Sequence, residues 1–358
     1  MKLEKLKMQV KEILPHVPGW FASALMIFFT ALWSFWGAAE MYHEGWWGPW
    51  YNRLPYLVPM VVMVIPSLVA FRWPLADGIL IISVGTFAIF FFGAGVAIIG
   101  LGIALVGGAF VIDGIIKRRR ASASDEVALS WHRKWRYRLL IGLPVIIFVG
   151  VSAYMLPIVL TRVDDGDRSA RLIEGNGVAL IWAPEGPGWN WRQPWGGYPS
   201  WQSVALYGVP PVGMGDKPGY GRQGEGREGL ENAVFATEAQ MAETNLCRYL
   251  SADGATLLDE PQDIWRMPTT DDVVRSLVRR GESAGCVWRG EFGEHVSCVV
   301  QPKKESPLWA TDHPVVYYWT ADAYSESLGY FVAYNGAVNA TYKLGGNPRH
   351  SYRCVREP

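Results

Sequence analysis

The chain has 358 residues, half of them apolar, 13% aromatic and 18% charged, with 33 basic and 33 acidic side chains. An ordinary soluble domain carries about a quarter charged residues, so this balance points to a membrane protein with a globular part attached. Disorder is excluded by the hydrophobicity and the zero net charge. Rods are excluded too, because the sequence has neither a Gly-X-Y period nor a sustained heptad.

The neutrality hides a segregation. Met1–Gly19 holds four basic and two acidic residues, Lys117–Arg138 eight and two, and Arg162–Pro358 19 and 25. An acidic C-terminal half lacks the basic face that nucleic-acid binding requires, so no nucleic-acid partner is expected.

Met1–Leu14 places Leu3, Leu6, Val10 and Ile13 at helical spacing against lysines, which predicts an amphipathic helix on the inner leaflet within a cytoplasmic segment 1–19. Four uncharged stretches follow: Trp20–Ala39, Pro55–Phe71, Gly78–Ile112 and Leu139–Thr161. A spanning helix needs about 20 apolar residues. The third stretch is 35 residues long and holds two spans folded at Phe92-Gly93-Ala94-Gly95. The expectation is a membrane α-helical bundle of five spans, about 20–39, 55–71, 76–92, 96–116 and 139–161, in contact with the lipid bilayer.

Parity supports that count. Positive charge near membrane ends stays cytoplasmic, so the N-terminal lysines and the basic loop 117–138 share one side only if four helices separate them. The last span then delivers residues 162–358 outside the cytoplasmic membrane. The first span ends in Gly37-Ala38-Ala39, small residues that fit a signal-peptide cleavage site, but its apolar core is longer than the usual 7–15 residues. Either reading exports the C-terminal half.

Trp46, Trp47, Trp50 and Tyr51 read as an interfacial belt. Gly100, Ala104 and Gly108 form a ridge of small residues against which a neighbouring helix packs closely. Asp113, near a cytoplasmic helix end, is expected to reach water, so no proton relay and no transporter are read here.

In the exported half, Asp164-Asp165-Gly166-Asp167 reads as a polar linker without the liganding pattern of an EF-hand. Gly177–Trp182 reads as a strand, and 209–229 as a Gly/Pro-rich loop without phosphate-cradle spacing. A helix is expected over Ala236–Ser251, capped by Thr237, with Phe235, Ala239, Ala242 and Leu246 as its apolar face. A second is expected over Thr269–Arg280, after Pro268, with Thr269 or Thr270 as cap, Asp271 and Asp272 favouring the dipole, and Val273, Val274, Leu277 and Val278 inward. Strands follow at Val315–Thr320, Gly329–Asn335, Ala337–Lys343 and Tyr352–Arg356, with Asn335-Gly336 as a hairpin turn.

All four cysteines, Cys247, Cys286, Cys298 and Cys354, lie in this half, which implies disulfides in an oxidising compartment. Three pairings exist. The favoured one joins Cys286 to Cys298 across a short excursion and Cys247 to Cys354 between the first helix and the last strand. No paired C-x2-C spacing is present, so no zinc site, and no other metal or cofactor, is expected.

Four ordered motifs carry a resemblance: Trp265-Arg266-Met267-Pro268-Thr269 before a helix, Tyr318-Trp319-Thr320-Ala321, Tyr334-Asn335-Gly336, and Tyr352-Arg353-Cys354-Val355-Arg356. Over roughly Val234–Pro358 the chain resembles the C-terminal domain of the Legionella collagen-like adhesin and its relatives, among them the Fibrobacter major paralogous domain. The resemblance implies a C-type-lectin-like α+β fold, two helices against a twisted antiparallel sheet, and a Cys247–Cys354 bridge. Trp265, Pro268, Thr269, Trp319, Asn335 and Gly336 then serve as scaffold, and scaffold identifies a fold and not an activity. The calcium tripeptide of such lectins is not matched, because Glu260-Pro261-Gln262-Asp263 precedes the second helix and no Trp-Asn-Asp follows it.

Candidate ligand-binding residues are Trp288, Glu291, His295, Trp309, Asp312 and His313, aromatic and polar groups on predicted loops, suited to stacking on sugar rings or holding a peptide. No Ser or Cys nucleophile is visibly paired with His295 or His313, so no catalytic residue is assigned. The expected function is non-catalytic recognition or adhesion toward an envelope or extracellular saccharide or protein. The alternatives are an oxidase of the formylglycine-generating type and a ligand sensor signalling to a cytoplasmic partner at Lys117–Arg138.

Overall fold

A computed structural model describes residues 17–92, 97–119, 126–189, 198–207 and 235–358; the amphipathic segment, the Gly93–Gly95 turn and the 209–229 loop of the sequence reading lie outside them. The chain divides into two compact units, Met1–Trp46 with Trp50–Pro157, and Trp47–Pro49 with Ile158–Pro358.

The first unit is a helical bundle: α1 Val17–His43, α2 Leu54–Arg72, α3 Pro74–Phe92, α4 Ala97–Arg119 and α5 Glu126–Leu160. Proline opens α2 and α3, where the missing N–H costs nothing. Among the described residues four helices are long and apolar enough to cross a membrane, Val17–His43, Trp50–Arg72, Ala97–Ile116 and Trp135–Leu160, while Pro74–Phe87 is a shorter apolar helix. Hydroxyls inside α1 satisfy themselves: Ser23, Thr30 and Ser34 each donate to the carbonyl four residues back, at 2.6, 2.7 and 2.6 Å.

Glycine sets the contact between α3 and α4. A Cβ on Gly85 would lie 2.6 Å from the Gly100 carbonyl, and one on Gly78 would lie 2.7 Å from that of Gly107. The two pairs sit seven residues apart on each helix, in antiparallel register. The sequence ridge is therefore corrected: Gly100 and Ala104 face α3, but the third member is Gly107, while a Cβ on Gly108 meets nothing within 4 Å. At the opposite end of the chain's first helix, a Cβ on Gly19 would fall 2.3 Å from Asp113 Cγ, and Phe71 packs 6.4 Å from Phe110 and 5.7 Å from Tyr137. The start of α1, the end of α2, the end of α4 and the start of α5 thus gather together. Asp113 is 2% exposed, which overturns the expectation that it reaches water.

The second unit is α+β. Strands β1 Arg171–Gly175 and β2 Val178–Trp182 form a hairpin that the final strand, β9 Val355–Arg356, joins in a three-stranded sheet. Its turn is Asn176-Gly177, with φ of 53° and 83°, the two positive angles that a tight hairpin twist requires. A small hairpin, β3 Val278–Arg279 and β4 Glu282–Ser283, precedes a four-stranded sheet ordered β7-β6-β5-β8, built from β5 Tyr317–Ala323, β6 Leu328–Ala333, β7 Val338–Tyr342 and β8 His350–Ser351. Neighbours β5, β6 and β7 are antiparallel, and β8 lies parallel to β5. Asn335-Gly336 turns β6 into β7, with Gly336 at φ 86°.

Short helices α6 Trp201–Ala205, α7 Glu238–Thr244 and α8 Thr270–Arg275 complete the unit. Thr237 and Thr269 cap α7 and α8 through reciprocal boxes with Gln240 and Asp272. Both helices are shorter than their apolar spacing predicts. After α7, Asn245 turns extended and its side chain accepts from the Cys247 N–H at 2.9 Å, starting a separate 3-10 turn over Leu246–Tyr249. The buried face is Met241 and Leu246; Ala239 and Ala242 point to solvent. After α8, Val278 begins a strand, although Val273, Val274, Leu277 and Val278 are all buried as expected.

Tryptophans fill the core. Trp201, Trp265 and Trp319 are 0–2% exposed, and their indole N–H groups donate to the carbonyls of Thr320, Ser251 and Pro199 at 2.8, 2.9 and 2.9 Å. Disulfides join Cys247 to Cys354 and Cys286 to Cys298. Trp47, which clusters with this unit, is 2% exposed, whereas Trp50 and Tyr51 are 67% and 57% exposed. Of those residues read as an interfacial belt, Trp47 is packed away.

Candidate functional site

The structure divides the six candidate residues between two regions. Trp288, Glu291 and His295 lie on the excursion closed by Cys286–Cys298, while Trp309, Asp312 and His313 lie on the segment before β5.

The second region is scaffold. Trp309 is 1% exposed and stacks flat on Tyr318, centroids 3.8 Å apart and planes at 5°, so this ring is core and unavailable to a ligand. The Tyr318 hydroxyl, itself buried, accepts from Trp189 Nε1 at 2.6 Å. His313 offers its carbonyl to the ammonium of Lys304, a side chain that burial drives well below the usual lysine pKa. Asp312 is exposed and accepts from Arg168 at 2.9 Å.

That arginine also grips Asp164. The Asp164 carboxylate accepts from Arg168 at 3.0 and 3.1 Å, from the Gly166 N–H at 3.0 Å, from Ser306 at 3.1 Å and from Thr311. Burial alone would raise its pKa; the hydrogen bonds from Arg168, Thr311 and Gly166 outweigh that and hold it far below the usual carboxylate range. The segment read as a polar linker is thus tied to the domain by Asp164.

The first region is exposed and aromatic. Trp288 packs edge-on against Tyr330 at 5.5 Å, Tyr330 against Tyr324 at 5.7 Å, and Tyr324 stacks on Phe292 at 4.5 Å and 29°. Phe292 and Tyr324 are 49% and 47% exposed, while Tyr330 is 7% exposed beneath them. The outer ring pair therefore rests, through Tyr324, on Tyr330 of β6, against which Trp288 also packs. Two acidic residues lie near Phe292 in the chain: Glu291 is exposed, its backbone carbonyl accepting from Trp288 Nε1 at 3.3 Å, and the Glu294 carboxylate accepts from the Arg289 N–H at 3.2 Å. His295 is exposed, and its backbone bridges to Ala337 beside the β6–β7 turn. The disulfide and that bridge fix both ends of the loop.

Sequence reading named Trp288, Glu291 and His295 but missed Phe292, Tyr324 and Tyr330. A signal existed for Phe292, a large apolar residue enclosed by Gly290, Glu291, Gly293 and Glu294, where nothing local can bury it.

Elsewhere, Glu40, His43 and Glu44 near the end of α1 bring three potential metal-ligating atoms within 4.8 Å of one another, and the Tyr56 hydroxyl donates to Glu44 at 2.8 Å. They share one helix face through i, i+3, i+4 spacing, a pattern the sequence reading passed over.

All four cysteine thiols are consumed by the two disulfides. Comparisons with protein-family models, with curated proteins and with solved structures find no match.

Proposed function

We propose that this chain is a multi-pass protein of the cytoplasmic membrane that displays a non-catalytic recognition domain outside, and that the domain binds a saccharide of the envelope or extracellular space through Phe292 and Tyr324. The observation that carries the reading is the half-exposed stacked pair of Phe292, on the disulfide-closed loop, and Tyr324, between β5 and β6, with Glu291 and Glu294 close to Phe292 in the chain. Aromatic faces take the apolar face of a sugar ring, and carboxylates accept from its hydroxyls.

The five-span count is supported by α3, a mostly apolar helix of 19 residues held along α4 by glycine contacts, and by the gathering of the α1, α2, α4 and α5 ends at one end of the bundle. The basic residues around Arg118 and Arg138 flank that end, which supports assigning it to the cytoplasmic side. Export of the second unit then agrees with its two disulfides. The C-type-lectin-like reading is supported by capped helices after Thr237 and Thr269, by the Cys247–Cys354 bridge and by the core position of Trp265 and Trp319.

The test uses the full chain in detergent on an oligosaccharide panel. Binding is expected, and F292A/Y324A should weaken it roughly ten-fold or more, the loss typical of central aromatic contacts. Undiminished binding by the double variant, or turnover of a bound compound, overturns the proposal.

A further inference from the structure

Asp77 stands in the first turn of α3 and is 2% exposed, and neither of its carboxylate oxygens has a hydrogen-bond partner. Its backbone N–H donates to the Trp73 carbonyl at 3.1 Å, but no amide of the helix start turns to its side chain. Ile81, one turn further along the same face, packs in an apolar cluster with Ala70, Phe71, Val106 and Phe110. A bare charge in such surroundings is expensive, and an ionisable side chain kept inside a membrane bundle marks a functional site.

No neighbour supplies a countercharge. Among the described residues, the titratable groups at this end are Arg72 on α2, Asp113, Arg118 and Arg119 on α4, and Arg136, Tyr137 and Arg138 on α5, while α1 brings none from Val17 to Ala39. Arg72, Arg118, Arg119 and Arg138 are exposed, Arg136 donates to Ser23 of α1, and Tyr137 packs on Phe71. None of them bonds to Asp77. Asp113 shares its depth. A Cβ on Gly78 would lie 2.8 Å from the Val111 nitrogen, and one on Gly114 2.8 Å from that of Leu75, so Asp77 and Asp113 fall between the same two helix contacts. The backbones meet too closely there to admit a shell of water. A hard metal cation needs several oxygen ligands, which this apolar cluster does not offer, whereas a proton needs only the carboxylate.

We propose that Asp77 is a proton-binding site of the bundle. The proton comes from water at the corner between α2 and α3, where Trp73, four residues away, is 60% exposed. With the proton bound, the neutral carboxyl rests in the apolar cluster and α3 lies closed on α4. Its loss leaves a charge that reaches solvent only by lifting the start of α3 away from α4. The inference rests on the membrane placement proposed above but not on any ligand of the aromatic loop.

Infrared spectroscopy of the full chain in detergent reads the proton directly. At about pH 7 ordinary side-chain carboxylates are ionised, so the carbonyl stretch of a neutral acid should stand out in the wild type, disappear in D77N and persist in D113N. D77E keeps the acid and should shift the band without removing it, so the test stands even where D77N misfolds. Once rising pH removes the band, amide hydrogen exchange over Pro74–Ile81 should run faster in the wild type than in D77N at the same pH. No acid band near neutral pH, a band kept by D77N or lost in D113N, or equal exchange in the two proteins after deprotonation overturns the proposal. So does loss of the band on adding sodium at constant pH, which would make a metal cation the occupant. Release of the chain from membranes by alkaline carbonate would instead overturn the membrane placement, a separate result.

Discussion

Gly329 on β6 has no room for a side chain. A Cβ there would stand 2.5 Å from Cδ1 and 2.6 Å from Cγ of Trp201, a ring that is fully buried. The ring has little freedom to yield. Its Nε1 donates to the Thr320 carbonyl at 2.8 Å, and the Lys343 ammonium sits 4.3 Å from its centroid. Gly329→Ala therefore forces overpacking, which costs about 1–3 kcal/mol, and strains a buried hydrogen bond worth about 1 kcal/mol. A stiffer unfolded chain returns about 0.4–1 kcal/mol. The net loss is about 1–4 kcal/mol, centred near 2, and for a unit of this size the central value lowers Tm by about 4–8 °C. Near-ultraviolet circular dichroism of the full chain in detergent follows this through the tryptophan environment. Adding W201F shrinks the ring, so the double variant should lose less than the sum of the singles. An unchanged or raised Tm for G329A, or additivity within about 0.5 kcal/mol, would refute the steric account.

Three further outcomes follow from the same coordinates. Cys247–Cys354 spans 107 residues and Cys286–Cys298 spans 12, so loop entropy puts the first near about 4.7 kcal/mol and the second near about 3; denaturation of C247S/C354S and C286S/C298S should rank them in that order. In the bundle, G85L drives a side chain into the Gly100 carbonyl while G108L enters open space, so only G85L should lower the detergent unfolding temperature. His350 is buried among Tyr317, Trp319 and Phe331, and burial lowers its pKa to about 3. Its folded pKa lies below the unfolded value of about 6.5, so the stability it allows is complete above that pH and falls away as the unfolded chain takes up a proton, by about 2 kcal/mol from pH 7 to pH 5. H350F should flatten that slope; an identical pH profile in the variant would show that His350 is not its source.

The sequence made the membrane half legible because the constraint there is one of length: about 20 residues without charge span a bilayer whatever they pack against. Which glycines touch is a different matter. Gly100, Ala104 and Gly108 satisfy a four-residue ridge on paper, but the partner's own glycines, Gly78 and Gly85, are seven apart and select Gly107. In the second unit, caps and hairpin turns read well at Thr237, Thr269 and Asn335-Gly336, because one or two side chains decide them locally. Asn176-Gly177 carried the same signal and β1 was passed over only because its alternation is short. Helix ends were misjudged where tertiary contacts intervene, as at Asn245 and Val278.

The candidate site shows the same division. Trp288 and Trp309 are indistinguishable as loop tryptophans; what separates them is Tyr318, whose ring covers Trp309, against Tyr330, which props Trp288 from below. Closure of the unit falls to the sheet of β1, β2 and β9, where β2 of the first hairpin pairs with the final strand, and to Cys247–Cys354. The aromatic loop hangs instead from β5, β6 and the Cys286–Cys298 bridge. Substitutions at Phe292 or Tyr324 therefore change the presented surface without touching what shuts the domain.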